Sequence, residues 1–335
     1  MTRTSSIISV CFILTLLLAA CSTAAGSSSV SETASPEETA TETLTGQPSA
    51  TSASATDEEP ADTATPTDIP TSTATPDVRL DPADWQNWPV LPIVSARAEE
   101  IYELGLAMGN HPDRFSKIGD CQNINTYFLG FFDDPDLYTL GEEYAYLQET
   151  IDHFSGSFSR VSTSTKGGMN VASVLSHYWA DQERCEGGES PLACELRLNQ
   201  PSIALISMEE SWGSNNKVEN YEKYMRQIIE TVIEAGVVPV LATKADNLEG
   251  DHQINQTIAN LAYEYDIPLW NFWRAVQDLP NGGVLEDGFH LTHGVNDFSE
   301  SKNLKQAWPV RNLTALQAID SVWRQLNDLP LPPTP

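Results

Sequence analysis

Two short runs constrain the fold of this chain more than any other feature. Residues 202–208 read SIALISM and residues 237–243 read VVPVLAT. A strand with one wet face alternates apolar and polar side chains. A near-continuous apolar run is how a parallel strand covered on both faces reads. The expected strands are 115–121, 158–162, 203–208, 237–243 and 268–272. Amphipathic stretches lie between them. NYEKYMRQIIETVIEAG puts Tyr221, Met225, Ile228, Ile229, Val232 and Ile233 on one stripe, at the spacing of a helix packed on a sheet. Gly236 then supplies a natural C-cap region. Ile254, Ile258, Leu261, Ala262 and Tyr265 repeat the stripe, with Asp251 as the expected N-cap. Residues 96–108 and 313–326 read as flanking helices, and 171–179 as a further crossover helix. Strands alternating with helices predict an α/β fold: a three-layer α/β/α architecture on a mostly parallel five-stranded sheet.

That pattern occupies only residues 81–331, about 250 residues and enough for one sizeable core. Residues 1–20 read as an export signal, with Arg3 as a short basic region and an apolar run over 7–18. The run ends in Leu18-Ala19-Ala20-Cys21, which is similar to the lipobox of bacterial lipoproteins, in which the cysteine is lipidated. Residues 21–80 are a Ser/Thr/Pro-rich acidic stretch. Between Ser22 and Val78 there are ten acidic residues and no Lys or Arg. Such a composition cannot bury enough surface to offset chain entropy and predicts a disordered linker. As a flexible coil it spans roughly 40 Å. The expected location is the outer face of the cell membrane, held there by a lipid on Cys21. Thr and Pro in the linker are compatible with glycans but do not specify them.

The formal net charge is −29. Such a chain is repelled by nucleic acid and by anionic headgroups. Expected partners are a small-molecule or glycan ester substrate and, through the lipid alone, the membrane; a monomer is expected. Five cysteines are present. Cys11 falls in the signal and Cys21 at the lipidation site. Cys185 and Cys194 bracket the Gly/Pro-containing loop CEGGESPLAC and predict a local disulfide. Cys121 is then left over, and an odd thiol in an exported protein is a candidate reactive group.

In open parallel sheets ligands bind beyond the carboxyl ends of the strands. The first expected strand runs into Gly119-Asp120-Cys121. The second is followed by Gly167-Gly168, read as opening a helix, the third by residues 209–216, the fourth by Lys244-Ala245-Asp246-Asn247. After the fifth comes Asp287-Gly288-Phe289-His290. In this order the elements resemble the SGNH/GDSL hydrolases over residues 115–292. The resemblance implies a flavodoxin-like fold and esterase or deacetylase chemistry. It implies Cys121 as nucleophile in place of the family serine, His290 as base and Asp287 as the group orienting His290. The oxyanion would be held by the backbone N–H groups of Cys121 and Gly168. The third block departs from the family. Its Gly-x-Asn-Asp falls on Glu209-Glu210-Ser211-Trp212, and Gly213-Ser214-Asn215 comes four residues late. Asn215, Asn170 or Ser211 are the alternatives for the side-chain donor.

The resulting expectation is a cell-surface esterase with a cysteine nucleophile, acting on acyl esters of glycans or other small esters. A non-catalytic binding module on the same scaffold and an acyltransferase are the competing readings. No cofactor is expected. No metal is expected either, because His293 finds no ligand set at metal spacing. A helix after Cys121 is expected to add its N-terminal dipole. Glu209, Glu210 and Asp246 are expected to share an acidic rim. NQT at 255–257 and NLT at 312–314 are read as chance glycosylation motifs.

Overall fold

The computed structural model describes residues 79–208 and 217–332. The signal segment, Cys21, the linker up to residue 78, and the third block with Ser211 and Asn215 lie outside the described residues.

Strands β1 (His111–Gly119), β2 (Pro201–Ser207), β3 (Val238–Ala242) and β4 (Leu269–Trp270) form one parallel sheet in the order β1-β2-β3-β4. Every residue of β2 and β3 is buried, as their apolar runs predict. The helices are α1 (Ala96–Met108), α2 (Gln148–His153), α3 (Pro191–Asn199), α4 (Val218–Glu234), α5 (Gln253–Tyr265), α6 (Phe272–Val276) and α7 (Ala307–Leu326). The crossovers through α3, α4 and α5 all step the same way across the sheet. Right-handed connections therefore put all three on one face, where α4 packs against both α3 and α5. The helices α1 and α7 pack on each other, and α2 packs on α7, covering the other face. The architecture is α/β with helices on both sides of a parallel sheet.

Three expectations need correction. The sheet has four strands among the described residues, not five. The segment expected as a strand at 158–162 forms no ladder with the sheet; backbone pairing comes three residues later, as a single parallel bridge between Gly119 and Thr165. Side chains replace the ladder there: the hydroxyls of Ser162, Ser164 and Thr165 lie 2.8, 3.1 and 2.9 Å from the Lys117 carbonyl. Residues 171–179 are two short 3-10 turns, Ser173–Leu175 and His177–Trp179, instead of a helix. The Asn170 side chain accepts the N–H groups of Ala172 and Ser173, so local bonds compete with the helix. The crossover helix is α3, capped by Ser190 with Pro191 in its first turn.

Thr165 and β2 flank β1 on opposite edges, so the connections leaving β1 and the bridge segment diverge there. The carboxyl end of β1 is thus the topological switch point, where this class of sheet forms its binding crevice.

Candidate active site

Cys121 lies two residues beyond β1, at that switch point, and is half-buried. It opens a three-residue 3-10 turn, Cys121–Asn123, capped by the Asp120 carboxylate, which accepts the Gln122 N–H at 2.9 Å. The glycine before it has a physical reason. Asn123 folds back over the strand end and donates to the Ser207 carbonyl at 2.7 Å. A Cβ at Gly119 would sit 2.1 Å from Asn123 Nδ2 and 2.6 Å from Ser207 O. Only glycine allows this close approach. The expected helix after Cys121 is replaced by this short turn, so no helix dipole is aimed at the thiol.

Asp287 and His290 sit on a hairpin closed by an antiparallel bridge between Val284 and Leu291 and by the Leu285 N–H bonding His290 O at 2.7 Å. Gly288 makes the turn at φ +72°. Asp287 Oδ1 accepts the backbone N–H groups of Phe289 and His290, both at 3.0 Å. Its Oδ2 lies 2.6 Å from His290 Nδ1. A carboxylate can only accept, so Nδ1 carries the proton and Nε2 is the open end of the ring. The hydrogen bond from His290, then the two backbone bonds, lower the Asp287 pKa to about 2. Both side chains are exposed, His290 by 60%.

The amino end of α7 ties these two pieces together. Ala307 N–H donates to Thr292 Oγ1 at 2.8 Å and Trp308 N–H to Thr292 O at 3.1 Å, two residues past His290. One turn on, Arg311 reaches the Cys121 turn, bonding Gln122 Oε1 and Asn123 Oδ1 at 3.3 and 3.2 Å. Tyr127 stacks on Trp308 with centroids 5.6 Å apart. Arg311 carries no sequence signal beyond being a charge inside an apolar stretch, two residues before the expected start of the last helix.

Gly168 follows the Thr165 bridge by three residues and is exposed at φ +78°. It lies in a turn and does not open a helix. A Cβ there would meet the ring of Trp179 at 3.9 Å. Lys166 lies over the same ring at 5.8 Å, and the neighbouring Tyr178 is 84% exposed. Asn170, an alternative oxyanion donor, has its side-chain oxygen engaged by the N–H groups of Ala172 and Ser173.

Asp246 does not belong to an exposed acidic rim. It is buried and paired with Lys244 at 2.7 Å, and Lys244 also reaches Glu249 at 2.6 Å. Burial, against the pull of Lys244, raises the Asp246 pKa to about 6. Asn255 pins the same loop by bonding both the N–H and the carbonyl of Lys244. The 244–249 loop is therefore a structural closure. Its Leu248 supports the hairpin turn, 3.8 Å from the Cβ position of Gly288. Asn255 and Asn312, the two chance motif asparagines, are buried. His293 is exposed. The Cys185–Cys194 disulfide is present, with Cα atoms 5.3 Å apart.

No family model matches the chain, and no curated protein matches it. Among solved structures it is similar to a GDSL-like lipase from Bacteroides thetaiotaomicron. The identity is 13%, over 67% of this chain and 97% of that chain, with a TM-score of 0.38.

Proposed function

We propose that this domain is an acyl hydrolase of the SGNH/GDSL kind that uses Cys121 as its nucleophile. The observation that carries the reading is the shared brace. A cysteine at the switch point and an Asp287–His290 pair with its open nitrogen outward are both tied to the first two turns of α7.

In this reading the Cys121 thiolate attacks an acyl carbonyl carbon. A C–S bond forms and the carbonyl electrons move onto oxygen. The backbone N–H groups of Cys121 and Gly168, with Asn215 as the side-chain donor, hold that oxyanion. Collapse expels the alkoxide, which takes a proton from the His290 imidazolium. His290 Nε2 then takes a proton from water as it attacks the thioester, and the acid and the thiol are released. Asp287 keeps the imidazole in the required tautomer throughout. A thiol ionises near neutrality, so it needs less help from the base than a hydroxyl. Glycan esters are the favoured substrates, because the Trp179 ring beside Gly168 suits the apolar face of a sugar. Lipidation at Cys21 would hold the enzyme at the outer face of the membrane.

Iodoacetamide labelling of the intact domain with site mapping tests this. Cys121 is expected to alkylate faster than an ordinary thiol near neutral pH, and His290→Ala to slow it. Hydrolysis of short acyl esters is expected to vanish in Cys121→Ala. An inert Cys121 leaves the non-catalytic binding module. Activity surviving Cys121→Ala removes the nucleophile.

A further inference from the structure

Among the described residues, the well-exposed tyrosines and tryptophans are Tyr127 at 46%, Trp179 at 38% and Tyr178, the chain neighbour of Trp179. Large rings gain much from burial. Rings left in water beside a candidate site are therefore candidate ligand contacts.

Tyr127 is fixed at the base side of the site. One face of its ring stacks on Trp308 at an interplanar angle of 29°. The Trp308 N–H in turn bonds Thr292 O, two residues past His290. The backbone is clamped to the same helix: Asn312 Nδ2 donates to Tyr127 O at 3.0 Å, and Asn312 Oδ1 accepts the Leu129 N–H at 2.8 Å. The Tyr127 N–H bonds Ile124 O at 3.0 Å, at the end of the Cys121 turn. The ring is thus held between the nucleophile turn and the histidine hairpin. Trp179 stands at the oxyanion side, 3.9 Å from the Cβ position of Gly168.

Ester cleavage makes these two places distinct. In the tetrahedral intermediate one carbon carries the oxyanion, which points to Gly168, and the leaving oxygen, which points to His290 Nε2. The leaving alcohol therefore extends toward Tyr127, and a long alcohol also passes Trp179. A pyranose can bury its apolar face on such a ring. Neither ring is charged, and a chain of net charge −29 repels polyanions. Both facts favour a neutral sugar polymer.

We propose that the site binds a neutral glycan chain across Cys121, one sugar on Tyr127 and another on Trp179, and removes an acyl group from the sugar between them. Tyr127 is then the specificity-determining residue on the leaving-group side. The bond broken joins the acyl carbon to that sugar's oxygen; water supplies the hydroxyl of the acid and the proton of the freed alcohol. The inference rests on the hydrolase reading of Cys121 and adds the length and charge of the substrate.

The experiment measures kcat and KM of the full chain on O-acetylated glucose, O-acetylated cellohexaose and p-nitrophenyl acetate, for wild type, Tyr127→Ala, Tyr127→Phe and Trp179→Ala. Wild type is expected to prefer the hexaose to glucose by roughly a hundredfold in kcat/KM, about tenfold for each ring face buried. Tyr127→Ala and Trp179→Ala are each expected to cut that preference about tenfold, through KM, because contacts remote from the reacting carbon are alike in ground and transition states. Tyr127→Phe keeps the face and the preference. Should Tyr127→Ala not fold, Tyr127→Leu, which still covers Trp308, decides. Equal kcat/KM on the glucose and hexaose esters, or cleavage of p-nitrophenyl acetate alone, overturns the inference and leaves the hydrolase. A loss in Tyr127→Ala that is the same on all three substrates marks a structural role and also overturns it. A wild type that cleaves none of the three removes the hydrolase reading together with the inference.

Discussion

At the scale of single residues the site is built from hydrogen-bond bookkeeping. Asp287 accepts three bonds, two from backbone N–H groups and one from His290 Nδ1. Those bonds favour its charged form, so its folded pKa lies below its unfolded value. The stabilisation they provide is complete above the unfolded pKa near 4 and is lost as the pH falls through about 2. Asp287 therefore stays ionised wherever His290 can act as a base. Asp287→Asn keeps the shape and removes the charge. Ester hydrolysis is expected to fall by about two to four orders of magnitude while the domain still unfolds cooperatively. A rate within twofold of wild type would take Asp287 out of the mechanism. Gly119 shows a different residue-scale constraint: its missing Cβ is the space through which Asn123 reaches Ser207.

At the scale of elements, α7 does the joining. Its first turn contains Pro309, where a missing N–H leaves no intrahelical bond unmade. That turn carries Trp308 under the histidine hairpin, and the next carries Arg311 under the cysteine turn. Gly283, at φ +79°, lets the hairpin base approach the same helix end; a Cβ there would lie 2.8 Å from Ala307 Cβ. On the same face of the sheet α1 makes an equally close contact. A Cβ at Gly105 would lie 1.9 Å from Gly236 O, and Gly236 itself turns at φ +68° into β3. Gly105→Ala is expected to push α1 away from that turn and cost about 1–3 kcal/mol. Urea unfolding measures this, and a loss below about 0.5 kcal/mol would show that α1 relaxes freely. The sheet edge illustrates how hydroxyls decide an element. Ser162, Ser164 and Thr165 spend their side chains on one carbonyl of β1, and a strand shrinks to a bridge.

At the scale of the whole molecule, the strongly acidic composition sits on a core that contains buried basic side chains. Lys117 is the clearest case. Burial, then the charge of Arg160, lower its pKa to about 7, against the partial opposition of Asp133 and Glu195. Between that value and its unfolded pKa near 10.5 the unfolded chain binds more protons. Stability from this group therefore rises with pH across that window and is lost as the pH falls through about 7. Urea unfolding at pH 6 and pH 9 should show the rise in wild type and a flatter profile in Lys117→Met. Equal slopes in the two proteins would mean that Lys117 does not titrate as described. What the sequence by itself determined is local and periodic. Continuous apolar runs identified β2 and β3 as doubly covered strands, the 3.6-residue stripes identified α4 and α5, residues 96–108 matched α1, and a short Gly/Pro loop between two cysteines identified their disulfide. Asp287 and His290 were legible as a pair because Asp287-Gly288-Phe289-His290 resembles the Asp-x-x-His block of the SGNH/GDSL hydrolases. What only the tertiary structure decided depends on partners distant in sequence. Hydroxyl bonds to Lys117 cancelled a strand, Lys244 removed Asp246 from the surface, and Arg311, 190 residues from Cys121 in sequence, came to lie beneath its turn. Periodicity reports which face of an element is buried; it carries no information about which distant side chain will fill the space beside it.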